Sequence, residues 1–241
     1  MHNQLRKFIE KSDNIVFFGG AGVSTQSGIP DFRSTDGLYQ ESFATPPETI
    51  LSYSFFISRT SDFYKFYKKK MLFPGALPNK AHIALAHLEN VGKVKAVITQ
   101  NIDGLHQMAG SKQVYELHGS VHRNHCMQCG KFYPLGDVQD IKDVPRCNCG
   151  GIIKPDVVLY EEALNDEVML QAIQAIKSAE LLIVGGTSLN VYPAAGMIDY
   201  FDGNHLVLIN QSSTRADSSA DLVIREPIGD VFGMMFPQLF S

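Results

Sequence analysis

The sequence contains no apolar run of about 18 residues or more, so we expect no helix that spans a membrane. Residues Met1–Lys7 also lack the apolar core of a secretory signal peptide. Basic residues are in slight deficit, because 21 Lys and Arg stand against 25 Asp and Glu and give a net charge of -4. A general nucleic-acid binder is usually basic. We therefore expect a soluble, cytoplasmic protein with no direct nucleic-acid partner.

Cysteine is scarce, and the four cysteines all lie in one short segment. Two disulfides there would suit a secreted chain. In a reducing compartment, four clustered thiols are typical of a structural zinc site, and His122 and His125 lie nearby as substitute ligands. We predict that one structural Zn²⁺ is bound by Cys126, Cys129, Cys147 and Cys149.

Short apolar runs bounded by glycine or polar residues predict strands that are buried on both faces of a parallel sheet. These runs occupy residues 14–18, 94–99, 181–184, 206–209 and 222–224. Helical stretches at 79–90 and 165–178 separate several of them. Strands that alternate with helices predict an α/β fold with a Rossmann-like, doubly wound parallel sheet.

Two segments interrupt this alternation and predict a smaller lobe, made of a helical insert and a zinc-ribbon insert. We expect one catalytic domain across 1–241. The larger lobe would comprise 1–31, 79–118 and 155–241, and the smaller one 32–78 and 119–154. Ligands bind at the carboxyl ends of parallel strands, so the cleft between the lobes should open there.

A glycine loop, Gly20-Ala21-Gly22, follows the first predicted strand. Glycines at this point let backbone N–H groups approach a pyrophosphate. Thr25 stands where the dinucleotide fingerprint has its third glycine, so a plain tight turn remains an alternative. The stretch that follows ends in Pro30-Asp31-Phe32-Arg33, which suits a lid with an aromatic face and a guanidinium.

Polar residues also follow the strand predicted at 94–99. Gln100, Asn101 and Asp103 should emerge at the carboxyl edge of the sheet, although a helix cap would explain Asn101 or Asp103 as well. His118 ends a strand-like run, 114–117, just before the cysteine insert. A hydrogen-bonded structural histidine is the alternative to a catalytic one.

Together these motifs resemble the sirtuins over about residues 5–232. The resemblance is carried by Gly20–Ser24, Gly28–Arg33, Thr99–Asp103, His118-Gly119, the paired cysteines, Gly186–Leu189 and Asn210. It implies an enzyme that consumes NAD to remove acyl groups from lysine side chains of a protein or peptide substrate. The implied products are nicotinamide, free lysine and O-acyl-ADP-ribose.

The resemblance also implies roles for single residues. His118 would be the general base, and Asn101 would orient the ribose and a water. Ile102 and Asp103 would hold the nicotinamide carboxamide, while Phe32 screens the reactive ribose carbon. The other NAD contacts implied are Gly20, Ala21, Gly22, Thr25, Asp31, Arg33, Gln100, Gly186, Thr187, Ser188, Asn210 and Ile228. The acyl-lysine tunnel would be walled by Val157, Val158, Leu159 and Tyr160. The alternative for the segment 154–162 is a plain edge strand, with which Pro155 is consistent.

Three departures from the family pattern stand out. The second cysteine pair encloses one residue rather than two. Tyr160-Glu161-Glu162 stands where the family has Phe-Gly-Glu. Family members that remove succinyl groups use a Tyr-x-x-Arg pair. Here Tyr64 is present, but Tyr67 stands where the arginine would be, which favours acetyl or a longer neutral acyl group.

Two other functions compete with deacylation. A protein mono-ADP-ribosyltransferase would use the same NAD site, but the presence of both Asn101 and His118 favours deacylation. A non-enzymatic NAD sensor or zinc-ribbon interaction module would not need the polar residues at the strand ends.

Overall fold

Six parallel strands form the central sheet of the computed structural model, which describes residues 1–32, 37 and 45–240. They are β1 (Ile15–Gly19), β2 (Val94–Thr99), β3 (Val114–Glu116), β7 (Leu181–Gly185), β8 (His205–Ile209) and β9 (Leu222–Ile224). Their order across the sheet is β3-β2-β1-β7-β8-β9. Because the chain leaves β1 towards one edge and later returns on its other side at β7, a crevice opens where these two strands end.

Helices cover both faces of this sheet. The α-helices in the described part of the chain are α1 (His2–Lys11), α2 (Pro47–Ile50), α3 (Tyr53–Ser58), α4 (Thr60–Lys70), α5 (Lys80–Asn90), α6 (Leu105–Met108), α7 (Asp166–Ser178) and α8 (Ile228–Met235). Of these, α1, α5, α7 and α8 pack on this sheet. Alternate β1 residues point to opposite faces. Ile15 and Phe17 pack in a core with residues of α1, α5 and α8, while Val16 and Phe18 pack in a second core with residues of α7. The sheet is therefore buried on both sides.

Polar side chains fix where α5 and α7 begin. The Asn165 side chain accepts a hydrogen bond from the Val168 N–H and caps α7. Asn79 caps α5, and the His82 ring accepts in return from the Asn79 N–H, which completes a capping box. Short 3₁₀ helices lie at Ala21–Val23, Thr25–Ser27, Leu135–Asp137, Ala194–Tyr200, Asp217–Ser219 and Pro237–Leu239.

A second, three-stranded antiparallel sheet has the order β5-β4-β6, formed by β4 (Gly119–Cys126), β5 (Phe132–Pro134) and β6 (Ile153–Val157). Helices α2, α3 and α4 share a core with it, in which Phe56 and Phe63 pack in one cluster with Val121 and Val157. The two interrupting segments thus pack together.

The predicted α/β class is confirmed, and the strands predicted for the large sheet form with ends shifted by one residue at most. Helix α8 was not predicted. Strand β6 spans the expected lobe boundary between residues 154 and 155. We propose the division into two lobes on the basis of the two sheets and their separate cores.

Candidate functional site

Two loops touch where β1 and β7 end. The Gly22 N–H donates to the Gly186 carbonyl at 2.8 Å. A Cβ on Gly22 would lie 2.9 Å from the Gly186 Cα, and one on Gly186, whose φ is +58°, would lie 2.3 Å from the Val23 nitrogen. Only glycine permits this approach. The loop after β1 is thus a tight turn, as the alternative interpretation expected, and it also borders the cavity described below.

A chain of hydrogen bonds links the polar residues that follow β2 to the loop that follows β1. The Asn101 side-chain amide donates to Ser24 Oγ at 3.0 Å, and the Ser24 hydroxyl donates to Asp103 Oδ2 at 2.6 Å. The other carboxylate oxygen, Oδ1, accepts from the Leu105 N–H at 2.9 Å. Asp103 therefore holds the turn that leads into α6 and lies fixed beside Ser24 and Asn101. The helix cap expected as an alternative does not form, because the N-cap of α6 is Gly104 and no side chain caps it.

Gln100 ties β2 to the other two loops. Its side-chain amide donates to Thr187 Oγ1 at 3.1 Å, and its backbone N–H donates to the Gly19 carbonyl at 3.0 Å. The Gln100 carbonyl is 2.9 Å from His118 Nδ1. These contacts hold the ends of three neighbouring strands and His118 in one framework.

His118 is half-buried and has a defined tautomer. Since a carbonyl only accepts, we assign the ring proton to Nδ1, which donates to Gln100, and this leaves the Nε2 lone pair available as a base. Burial lowers the pKa of His118 below its ordinary value of 6.5, although the hydrogen bond to Gln100 acts in the opposite direction. The ring is consequently neutral near pH 7, as a general base requires.

A cavity of about 620 Å³ opens at this edge of the sheet. Every residue predicted to bind NAD or substrate borders it except Arg33, which lies outside the described residues. Asn210, which directly follows β8, and Ile228, the first residue of α8, also border it. The structure brings the predicted site residues together, and their individual roles remain predictions.

The side of the cavity predicted to bind substrate is attached directly to His118. The Val158 N–H donates to the His118 carbonyl at 3.0 Å. Tyr160 forms a parallel bridge with Ser52 at the start of α3, and Glu161 adopts a φ of 76°. The residue in the place of the family's glycine therefore has a left-handed backbone that glycine adopts without strain.

Sequence reasoning missed several residues that border the cavity. Ser24 was quoted only as part of a motif, and its link between Asn101 and Asp103 becomes visible only when the loops are folded together. Residues 190–193 also line the cavity, and they carried no sequence signal beyond following Gly186–Leu189. Lys154 forms an ion pair with Glu162 at 2.9 Å, which ties together the two ends of the segment between them. Two opposite charges eight residues apart in the sequence do not predict such a pair.

The four cysteines form a cluster separate from the cavity. Their sulfur atoms all lie within 4.8 Å of one another. Cys126 Sγ is 3.5 Å from Cys149 Sγ, and Cys129 Sγ is 3.6 Å from Cys147 Sγ. These distances are too long for disulfides and agree with the separation of about 3.8 Å that four sulfurs at 2.3 Å around a tetrahedral zinc ion require. The donor set fits a closed structural zinc site.

The narrow Cys147-x-Cys149 spacing is accommodated by two glycines. The Gly150 N–H donates to the Cys147 carbonyl at 2.8 Å, with Gly150 at a φ of 90°. A Cβ on Gly151 would lie 2.6 Å from Cys126 Sγ. His122 instead contacts the Asp103 carbonyl through Nε2 at 2.9 Å, so it is not needed as a substitute ligand.

The thiols do not ionise equally without a cation. A hydrogen bond from the Cys149 backbone and one from the Tyr133 hydroxyl lower the pKa of Cys147 to about 6. The Gly151 backbone acts to lower the pKa of Cys149, but sharing protons with the neighbouring cysteine sulfurs raises it to about 12. A bound divalent cation would stabilise all four thiolates, as zinc chemistry requires.

None of the described helices is both long and apolar enough to span a membrane. The crevice at the ends of β1 and β7, the cavity that contains His118 and the cysteine cluster define a nucleotide-binding α/β protein with a zinc module.

Comparison with known proteins identifies the family. The Sir2 family pattern matches residues 20–193. The NAD-dependent protein deacetylase of Clostridium acetobutylicum is 59% identical over 233 residues, which are 95% of each chain. That of Clostridium perfringens is 60% identical over 235 residues, 96% of each chain. A solved Sir2 structure with a deacetylated p53 peptide and 3′-O-acetyl ADP-ribose is 38% identical, has a TM-score of 0.90, and is matched over 98% of this chain and 97% of that chain. The chain belongs to the Sir2 family.

Proposed function

We propose that this protein uses NAD to remove acetyl groups, and longer neutral acyl groups, from lysine side chains of proteins. The observation that carries the proposal is the single cavity in which His118 lies between the loops of the strand crevice and the segment 157–162. The names of the Clostridium relatives and the acetyl ADP-ribose in the matched Sir2 structure support the same reaction.

NAD would supply an electrophilic ribose carbon once its nicotinamide leaves. The chain's own residues would bind and orient the reactants. Gly20 and Gly22 bring backbone close to the site of the phosphates, and the pair Gln100 and Thr187 fixes the loop that would contact the ribose. Asp103, held by Ser24, would receive the carboxamide, and Phe32 would exclude water from the reacting carbon.

His118 would then move one proton. Its Nε2 is the basic atom, and its Nδ1–H is fixed on the Gln100 carbonyl. In this position it would accept a proton from a ribose hydroxyl, whose oxygen would then bond to the acyl carbon. The bond from that carbon to the lysine nitrogen would break, and lysine would leave as the free amine. Asn101, anchored on Ser24, would keep that ribose in place.

The residues around the acyl end support a neutral group. Five apolar residues line the cavity and pack in the same cluster as Val157 and Leu159, which are predicted to contact the acyl-lysine; they are Leu51, Met71, Ile102, Val121 and Leu135. The Tyr64 hydroxyl donates to the Ile153 carbonyl, and Tyr67 is buried with 2% of its surface exposed. Neither tyrosine borders the cavity as described, so the pair does not offer a site for a carboxylate.

Lys70 borders the cavity, and an acidic acyl group therefore belongs in the test. Zinc-loaded protein is incubated with NAD and peptides that carry acetyl-, butyryl- or succinyl-lysine, and the peptide products are analysed by mass spectrometry. We expect loss of the acetyl and butyryl groups at rates at least tenfold above loss of succinyl. Faster loss of succinyl would contradict the preference for neutral groups.

The same spectra test the competing functions. A gain of ADP-ribose on the peptide would indicate a mono-ADP-ribosyltransferase, and NAD binding without any product would indicate a sensor. We also propose that the protein works in the cytoplasm, which is supported by four cysteines that are arranged as metal ligands and form no disulfide among the described residues.

A further inference from the structure

Glu161 combines an unfavourable backbone with a fixed side chain. Its φ of 76° lies in the left-handed region that a residue with a Cβ rarely adopts. The carboxylate accepts hydrogen bonds from the Ser54 N–H at 2.8 Å and from the Ser54 hydroxyl at 2.9 Å, at the beginning of α3. These bonds hold an acidic side chain at the rim of the cavity, which Glu161 itself borders.

Among the residues that the structure describes, no cation forms an ion pair with Glu161. Asp156 is paired with Arg123 at 2.7 Å, and Glu162 is paired with Lys154 at 2.9 Å. Within the described part of the chain, the Glu161 carboxylate has hydrogen bonds from Ser54 only and no ion pair. Of the three acidic residues in the segment 154–162, Glu161 is the one that forms no ion pair with a described residue, so its carboxylate adds negative charge at the rim.

Aromatic surface lies next to this charge. Tyr53 and Tyr160 are 39% and 40% exposed. The Tyr53 N–H donates to the Tyr160 carbonyl at 3.0 Å, so the segment Tyr53-Ser54 lies beside the segment Tyr160-Glu161, and each tyrosine directly precedes one member of the Ser54–Glu161 pair. An apolar surface beside a carboxylate suits a long cationic side chain, whose methylene groups cover the rings while its charged end reaches the acid.

We propose that Glu161, Tyr53 and Tyr160 form a subsite for a lysine or arginine of the substrate polypeptide close to its acyl-lysine. This inference rests on the proposed deacylation, because the rim becomes a substrate contact only if a peptide enters the cavity. Exposed ion pairs and cation–π contacts are each weak, so we expect a preference of about threefold to tenfold in kcat/KM.

The test uses zinc-loaded full-length protein, NAD and a set of acetyl-lysine peptides. The peptides differ only in placing Arg, Gln or Glu at one position that flanks the acetyl-lysine. We expect wild type to prefer Arg over Gln at one such position by about threefold to tenfold, and to prefer it less at high salt because the charges are screened. In the Glu161→Gln variant, whose amide oxygen can still accept from Ser54, the ratio should fall to less than about half of its wild-type value and lose its dependence on salt, because only the weaker contacts with the tyrosine rings remain.

Two further variants sharpen the result. Glu10→Gln changes the net charge equally on exposed α1 and should keep the wild-type ratio. Tyr53→Ala should reduce the ratio while leaving the charge in place. Using a ratio of two peptides cancels any change in the amount of folded enzyme. Wild type with no preference at any position, or Glu161→Gln with the wild-type ratio, would overturn the subsite. No turnover of any peptide would instead contradict the proposed function.

Discussion

His118 is the residue whose protonation should control turnover. Because burial lowers its pKa below 6.5, it stays neutral at pH 7 and becomes protonated only in more acidic solution. We expect kcat/KM for an acetyl-lysine peptide to be constant above about pH 7 and to fall as the pH drops below the ordinary histidine range. The measurement is a pH profile of nicotinamide release at subsaturating peptide.

A matched variant checks the assignment to His118. His118→Ala should reduce turnover by at least about a hundredfold, the usual contribution of a general base, while its NAD affinity stays within a few-fold of wild type. Its residual rate should lose the acidic fall. Turnover by this variant with an unchanged pH profile would remove His118 from the role of base.

Two buried histidines, His82 and His106, should make the free energy of unfolding depend on pH. His82 is fully buried and its ring lies 4.7 Å from that of His106. Burial lowers the pKa of His82 to about 4, although the charge of Asp103 acts to raise it, and burial lowers the pKa of His106 well below 6.5. The unfolded chain therefore binds more protons than the folded one between about pH 4 and 6.5.

We expect the free energy of unfolding to fall as the pH drops through that window, with each histidine contributing up to about 1.4 kcal/mol per pH unit. In His82→Gln, the glutamine can still accept from Asn79 in the capping box but cannot take up the proton. Urea unfolding at several pH values should give a smaller slope for the variant than for wild type. Equal slopes would show that His82 does not bind the proton.

At the level of secondary structure elements, the loops that follow β1 and β7 approach each other so closely that no Cβ fits between them. Gly186→Ala would place a Cβ 2.3 Å from the Val23 nitrogen at a φ of +58°. We expect destabilisation by about 3 kcal/mol or more and loss of NAD binding. The control Gly92→Ala has a similar φ, +79°, but nothing within 4 Å, so it should cost only about 1–2 kcal/mol. Equal destabilisation by the two variants would mean that the cost comes from backbone strain and not from crowding between the loops.

The strands of the large sheet were predictable because burial on both faces demands unbroken apolar runs, as in Leu181–Gly185. Strand β4 was not, since it carries polar residues such as His122 on a small, half-exposed sheet. Strand β6 was expected only as an alternative, on the evidence of Pro155, and it lies at the edge of that sheet. Most residues that border the cavity at the ends of β1, β2 and β7 could be predicted because their motifs are contiguous, and their binding of a nucleotide stays a prediction. The Ser54–Glu161 contact joins residues 107 positions apart and depends on a backbone angle that glutamate disfavours, so the sequence did not reveal it.

For the whole molecule, zinc should stabilise the smaller sheet before it affects the larger one. Cys126 lies on β4, and the Cys147 N–H donates to the Gly151 carbonyl just before β6, so the cluster joins the ends of these strands. We expect one zinc ion per chain. Chelation or Cys149→Ser should lower the melting temperature and speed hydrogen exchange in β4 and β6, with β1 and β7 still protected. Unchanged thermal stability without zinc would contradict a structural metal.

Deacylation by this protein requires one coupling, in which NAD is cleaved in the cavity only when an acylated lysine occupies the opposite side. The direct measurement is the amount of nicotinamide released by the zinc-loaded protein with and without an acetyl-lysine peptide, compared with the amount of deacetylated peptide formed. We predict release that depends on the peptide and equals the deacetylated product mole for mole. Release that is independent of the peptide, or no release with any acylated peptide, would contradict the account.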